Sequence, residues 1–257
     1  MKYFQVNDSK QTLPIHANLY VSETSNNESL IVFVGGDGDA RDLYTEIIED
    51  IQTKLELYDF LSFSFRGVEE NLKTNYDNFI NDFKELMQHI KSNYQYKEVI
   101  LVCTSSGSIV TVEEILNPTI PVVKAIFLDP ADYYITEQGR QLEADTWSGN
   151  MLYSPSELTL SQTLETLTGK CIIHVVGFTI RNSLGNHYAQ PELRHIDNPE
   201  QITRLNQDMV KAFYLNAPEV NRGKYLTNNK IPHAFKRDGI VNQNLSEIAE
   251  IIKNLLS

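Results

Sequence analysis

The chain has 257 residues, 41% of them hydrophobic and 22% charged, the composition of an ordinary globular protein with room for one large buried core. Acidic residues outnumber basic ones 34 to 22, for a formal charge of -12, and the lysines and arginines are scattered singly. Without a basic patch to offset that field, nucleic acid and anionic membrane surfaces are not expected partners. No stretch approaches the roughly 18 apolar residues needed to span a bilayer, so no membrane insertion is expected. The start, MKYFQVNDSKQTLP, lacks the apolar segment of a secretory signal, and a cytoplasmic address is expected. Cys103 and Cys171 each lie in an apolar run and read as buried strand residues rather than metal ligands or a disulfide.

In chain order, KYFQV and ANLYVSE flank a polar loop and predict an early hairpin. LIVFV (30–34) is wholly apolar, which suits a strand covered on both faces. GGDGDARD follows it. Residues 42–55 then carry Leu43, Ile47, Ile48, Ile51 and Leu55 at helical spacing. The unit recurs as FLSFSF (60–65) with an amphipathic helix over 75–94, as EVILVC (98–103) with GSIVTVEEIL (107–116), and as VVKAIFLD (122–129). Such alternation predicts an α/β fold with a mostly parallel sheet and helices on both faces.

The rhythm breaks over 130–169, a polar and aromatic stretch that predicts a lid or cap insertion above the carboxyl edge of the sheet. KCIIHVVGF (170–178) resumes the sheet. A helix over 199–215, a weaker strand at GKYLTNN and a closing helix over 244–256 complete the chain, with Asn244 and Glu247 spaced for a capping box. The whole length, 1–257, reads as a single domain.

The strongest local signal is EVILVCTSSGSIVTVEE. A buried strand ends at Cys103 and a helix begins within a few residues, so Thr104-Ser105-Ser106 must reverse the chain tightly, and Gly107 removes a side chain where strand and helix meet. Ser105 at the apex would be strained, with its hydroxyl raised above the sheet. A serine held there can serve as a nucleophile once a base lies within hydrogen-bond reach. The Ser106 N–H, at the helix amino terminus, is aimed to stabilise an oxyanion. The plainer alternative is that Ser, Thr and Gly at this place only cap a helix and tolerate a turn.

On this segment the chain resembles the α/β-hydrolase superfamily, whose elbow reads Gly-x-Ser-x-Gly. Here the frame is Cys103-Thr104-Ser105-Ser106-Gly107, with cysteine in place of the first glycine. LIVFVGGDGD fits the same resemblance, which implies a second oxyanion donor at Gly36 or Asp37. GGDGD lacks the spacing and the lysine of phosphate-binding loops and carries two carboxylates. FSFRGV (63–68) is another family-like turn, in which Arg66 is expected to hold loops together.

The resemblance further implies a histidine base on a late loop. His16 lies too early, His89 is on a helix and His174 in a strand, while His187 and His195 lie in the long loop after Phe178. His233, in IPHAF, stands at the family's position. At the usual place for the acid stands Asn182, leaving Asp197 as first choice and Asp129, at the end of a strand, as second. The implied function is a serine hydrolase that cleaves a small-molecule carboxylic ester or thioester through an acyl-enzyme intermediate, with no metal or organic cofactor. The alternative is a non-catalytic α/β-hydrolase-like protein that binds a small molecule or a protein.

Overall fold

The computed structural model describes residues 1–7, 13–24, 28–36, 39–53, 55–70, 76–132, 134–135, 158–179, 199–232, 236–237, 240–241 and 245–256. Eight strands form one sheet: β1 (Lys2–Val6), β2 (Ile15–Tyr20), β3 (Ser29–Val34), β4 (Asp59–Ser64), β5 (Glu98–Thr104), β6 (Val122–Leu128), β7 (Ile172–Thr179) and β8 (Arg222–Pro232). Their spatial order is β1-β2-β4-β3-β5-β6-β7-β8. From β4 to β8 every pairing is parallel, while β2 runs antiparallel to both β1 and β4. The mostly parallel sheet expected from the strand–helix alternation is present, and KYFQV pairs with the next strand as the predicted hairpin.

Among the described residues five α-helices cover the sheet: α1 (Thr45–Gln52), α2 (Tyr76–Asn93), α3 (Gly107–Leu116), α4 (Pro199–Asn216) and α5 (Leu245–Leu256). The period-2 geometry of a strand divides each apolar run between two cores. Leu30, Val32 and Val34 of β3, with Leu101 and Cys103 of β5, face a core closed by Phe83 and Met87 of α2, Ile109 and Val112 of α3, and Phe213 of α4. Ile31, Phe33, Ile100 and Val102 face the opposite core, closed by Ile47, Ile48 and Ile51 of α1 and Ile248, Ile252 and Leu255 of α5. Wholly apolar strands are the consequence of having helices on both sides.

Three boundaries differ from the sequence reading. The helix expected over 42–55 is a 3-10 turn (Arg41–Tyr44) leading into the shorter α1. β8 runs to eleven residues, longer than GKYLTNN suggested, because it pairs along most of β7 despite two register shifts. Cys171 is buried as expected but stands one residue ahead of β7, whereas Cys103 lies within β5. Of the segment 130–169, residues 133 and 136–157 lie outside the described residues. A two-residue pairing of Tyr134–Ile135 with Leu158–Thr159 and a 3-10 helix (Ser161–Thr166) are described, and Leu160 and Leu164 join the main core. Among the described residues no helix is long and apolar enough to cross a membrane.

The strand order fixes the switch point of the sheet. From β3 the chain leaves through α1 toward β4 on one side; from neighbouring β5 it leaves through α3 toward β6 on the other. The two outgoing connections therefore diverge at the carboxyl ends of β3 and β5, the switch point of the sheet, the place where open α/β sheets bind their ligands.

Candidate active site

The Ser105 turn stands at that switch point. Ser105 has φ 46°, in the left-handed region that costs a non-glycine residue roughly 1–2 kcal/mol. The surroundings hold it there. Its N–H donates to the Leu128 carbonyl at 3.4 Å, and its own carbonyl accepts the N–H of Ser108 and of Ala131, both at 3.1 Å. The Ser108 hydroxyl adds a bond to the Ala131 carbonyl at 2.5 Å. The turn is thus tied both to the first turn of α3 and to the chain leaving β6.

Gly107 permits the tight packing behind it. A Cβ there would lie 2.6 Å from the Val34 carbonyl oxygen and 2.8 Å from that of Gly35. These are backbone atoms at the end of β3 and cannot step aside cheaply. Gly36 approaches the elbow from the front: a Cβ on it would meet the Ser105 Cβ at 3.1 Å. The glycine loop after β3 and the turn after β5 are therefore in direct contact.

Ser106 is buried, with φ -65° and ψ -15°, and starts α3 without capping it through its side chain. Its hydroxyl has no hydrogen-bond partner. No acceptor for its N–H is present among the described residues. The Gly36 N–H, by contrast, donates to Asp39 Oδ2 at 2.7 Å. Of the expected oxyanion donors, Asp37 lies outside the described residues, and Gly36 directs its N–H to a carboxylate in this structure.

Asp129 also stands at this edge. Thr104 and Leu128 are partners in the β5–β6 register, so Ser105 and Asp129 each stand one residue past the ends of neighbouring strands. Asp129 has φ 49° and is 1% exposed. Its N–H donates to the Val176 carbonyl at 2.7 Å, and its Oδ1 accepts the Phe178 N–H at 3.1 Å. His233, Asp197, Asn182, His187 and His195 lie outside the described residues.

Other sequence candidates take structural places. The Arg66 guanidinium pairs with Asp82 and Glu85 and donates to the Leu13 carbonyl at 2.9 Å, tying the loop after β4 to α2 and to the chain before β2. His16 bonds Tyr3 and Glu70, His89 stacks on Phe4, and the His174 Nδ1 accepts the Lys224 N–H at 2.8 Å. Burial pushes the Cys103 thiol up to about 12, so the cysteine in the elbow is an inert filler rather than a second nucleophile. Sequence reasoning missed the hydrogen-bonded cluster of half-buried Asp39 with buried Tyr44 and Thr104 beside the turn. The only signal available for it was the position of Asp39 beside the glycines.

No protein-family model matches the chain. No curated protein sequence matches it either. Solved structures do match over nearly the whole length. An alpha-beta serine hydrolase homologue from Coxiella burnetii is 13% identical with a TM-score of 0.62, covering 100% of this chain and 97% of that one. Est1E from Butyrivibrio proteoclasticus, also solved with ferulic acid bound, is 11% identical with a TM-score of 0.61, covering 99% and 97%. Dienelactone hydrolase from Anabaena variabilis is 11% identical with a TM-score of 0.60, covering 99% and 95%. Likeness at such low identity is likeness of architecture, and it agrees with the sheet order and the helices on both faces: the chain has the α/β-hydrolase fold.

Proposed function

We propose that the protein is a serine hydrolase that cleaves a small-molecule carboxylic ester or thioester through an acyl-enzyme intermediate. The observation that carries this reading is the left-handed Ser105, held by three backbone hydrogen bonds at the switch point with Gly36 against its Cβ. A plain helix cap does not need that strain; strain of this kind is retained where it aims a side chain. The solved neighbours, which include a dienelactone hydrolase and Est1E with ferulic acid bound, support a small acyl substrate.

In this mechanism the Ser105 Oγ attacks the substrate carbonyl carbon as His233 takes the hydroxyl proton. The carbonyl oxygen becomes an oxyanion, which the Ser106 N–H stabilises together with the Asp37 N–H. Collapse breaks the bond to the leaving alkoxide or thiolate, which receives the proton from His233. Water then gives a proton to His233 and attacks the acyl-enzyme, and its collapse releases the acid and returns the proton to Ser105. Asp197 or Asp129 orients the imidazole and stabilises its charged form. Asp129 has in its favour its burial and its place one strand from the elbow.

A fluorophosphonate probe on the intact protein tests this. Wild type and Ser106→Ala should be labelled, and Ser105→Ala should not. Of Asp129→Asn and Asp197→Asn, the one that removes the orienting carboxylate should label slowest. A folded wild type that takes no label would sink the hydrolase reading and leave the non-catalytic binding protein in its place.

A further inference from the structure

Three donors from separate elements converge on one oxygen beneath the elbow. Asp39 Oδ2 accepts the Gly36 N–H at 2.7 Å, the Tyr44 hydroxyl at 3.0 Å and the Thr104 hydroxyl at 3.3 Å. Gly36 belongs to the loop leaving β3. Tyr44 ends the 3-10 turn before α1, and Thr104 is the last residue of β5, directly before Ser105. Tyr44 is buried, and burial first and the Asp39 charge second push its hydroxyl far above the ordinary range, so it stays a donor. The Tyr44 and Thr104 oxygens are 3.0 Å apart. With the single Tyr44 proton directed to Asp39, the single Thr104 proton is shared between Asp39 Oδ2 and the Tyr44 oxygen.

The spacing couples the carboxylate to the glycines. A Cβ at Gly35 would lie 2.7 Å from the Asp39 Cβ, and one at Gly36 would lie 3.3 Å from Asp39 Oδ2. Asp39 fills the room that side chains at 35 and 36 would need, and in return draws the loop in by the Gly36 amide. Because the same carboxylate is bonded to Thr104, the loop and the strand bearing Ser105 share one anchor.

We propose that Asp39 is a positioning residue that holds the β3 loop against the Ser105 turn and so sets where the loop amides stand relative to the nucleophile. The inference rests on the hydrolase reading above. Asp39 touches neither substrate nor Ser105 Oγ in this role; it acts through the backbone of residues 36 and 104. Misplacing an oxyanion donor by about 1 Å costs roughly 100-fold in rate.

The test compares full-length wild type, Asp39→Ala, Asp39→Asn and Tyr44→Phe. The readouts are the second-order rate of fluorophosphonate labelling, kcat and KM for p-nitrophenyl acetate, and thermal unfolding. Asp39→Ala should lower labelling and kcat by about 10–100-fold while KM stays within about threefold. Asp39→Asn keeps an acceptor of the same shape and should recover part of that loss. Tyr44→Phe, which leaves Asp39 two donors, should lower kcat only severalfold. If Asp39→Ala does not fold, the other two variants decide. Folded variants that react as fast as wild type would overturn the positioning role and leave the hydrolase intact. A folded wild type that takes no label would remove the hydrolase reading and this inference together.

Discussion

At the carboxyl edge of the sheet two non-glycine residues, Ser105 and Asp129, hold left-handed backbone. The amino edge is built differently. There His174 accepts the Lys224 N–H, Lys124 donates to the Leu255 and Leu256 carbonyls at 2.8 and 2.9 Å, and Asp59 accepts the Ser22 N–H and the Tyr96 hydroxyl at 2.9 and 2.7 Å. The lysines meet the exposed carbonyls and the negative end of the α5 dipole, an arrangement that stabilises a helix terminus. Neither Lys124, His174, Lys224 nor Asp59 has positive φ. A surface groove lined by Val21, Thr24, Glu49 and Glu56 also lies at this amino edge, away from Ser105. The buried Asp59, Lys124 and His174 at the amino edge are hydrogen-bonded and carry no positive φ, so they serve stability, although Asn221 Oδ1 at the same edge is buried without a partner among the described residues. At the carboxyl edge buried polarity is combined with strain, which is the pattern of a site whose geometry is held for another purpose.

The sharpest way to break this contrast is at Ser105 itself. Ser105→Gly and Ser105→Ala should each lower ester hydrolysis by about 1,000-fold or more. Glycine, which adopts φ 46° without a Cβ penalty, should leave the protein about 0.5–1 kcal/mol more stable than alanine does. Denaturant unfolding of the two variants reads the difference, and equal stabilities would mean that no strain is stored in the turn.

A smaller effect separates two crowded glycines, one at each edge. Gly107→Ala would press a Cβ against the Val34 and Gly35 carbonyls, and Gly223→Ala would place one 2.5 Å from His174 Nδ1. Both should destabilise by about 1–3 kcal/mol. Only Gly107→Ala should also slow fluorophosphonate labelling of the folded protein, by about tenfold, because it shifts the start of α3 against the elbow. Equal labelling rates in the two variants would show that α3 can move without disturbing Ser105.

The smallest effect is a pH dependence confined to the amino edge. Burial first, then the charges of Lys124 and Lys224, push the His174 imidazole down to about 4 from its ordinary 6.5. The unfolded chain therefore binds a proton that the folded chain refuses between those values. This contribution to stability is complete above pH 6.5 and lost as pH falls toward 4, amounting to about 1–3 kcal/mol. His174→Asn, which keeps an acceptor for the Lys224 N–H, should flatten the fall of Tm across that window. A pH slope identical to wild type would show that His174 is not the titrating group. The labelling rate of the variant should match wild type.

How far the sequence reached can be followed residue by residue. The wholly apolar runs at 30–34 and 98–103 announced strands covered on both faces, and alternate residues of each do enter opposite cores. Leu43, Ile47, Ile48 and Ile51 announced an amphipathic face, yet the first turn tightened to 3-10 geometry around Tyr44, whose hydroxyl is tied to Asp39 and Thr104. The short Thr104-Ser105-Ser106 link with Gly107 behind it sufficed to locate the strained turn, because a chain that must pass from strand to helix in so few residues has few conformations open to it. Arg66 was legible as a loop tie, though its partners Asp82 and Glu85 were not.

By itself, then, the sequence determined the element order, the two-sided burial of the strands and the position of the serine turn, all of which follow from local period and short-range sterics. Only the tertiary structure decided that β3 and β5 are neighbours with diverging exits, that Gly36 gives its N–H to Asp39, and that Asp129 ends the strand beside the one that leads to Ser105. Asp39 and Thr104 are separated by 65 positions in the chain. No periodicity or turn rule links residues so far apart; they meet because the sheet is assembled in an order that leaves them no other place.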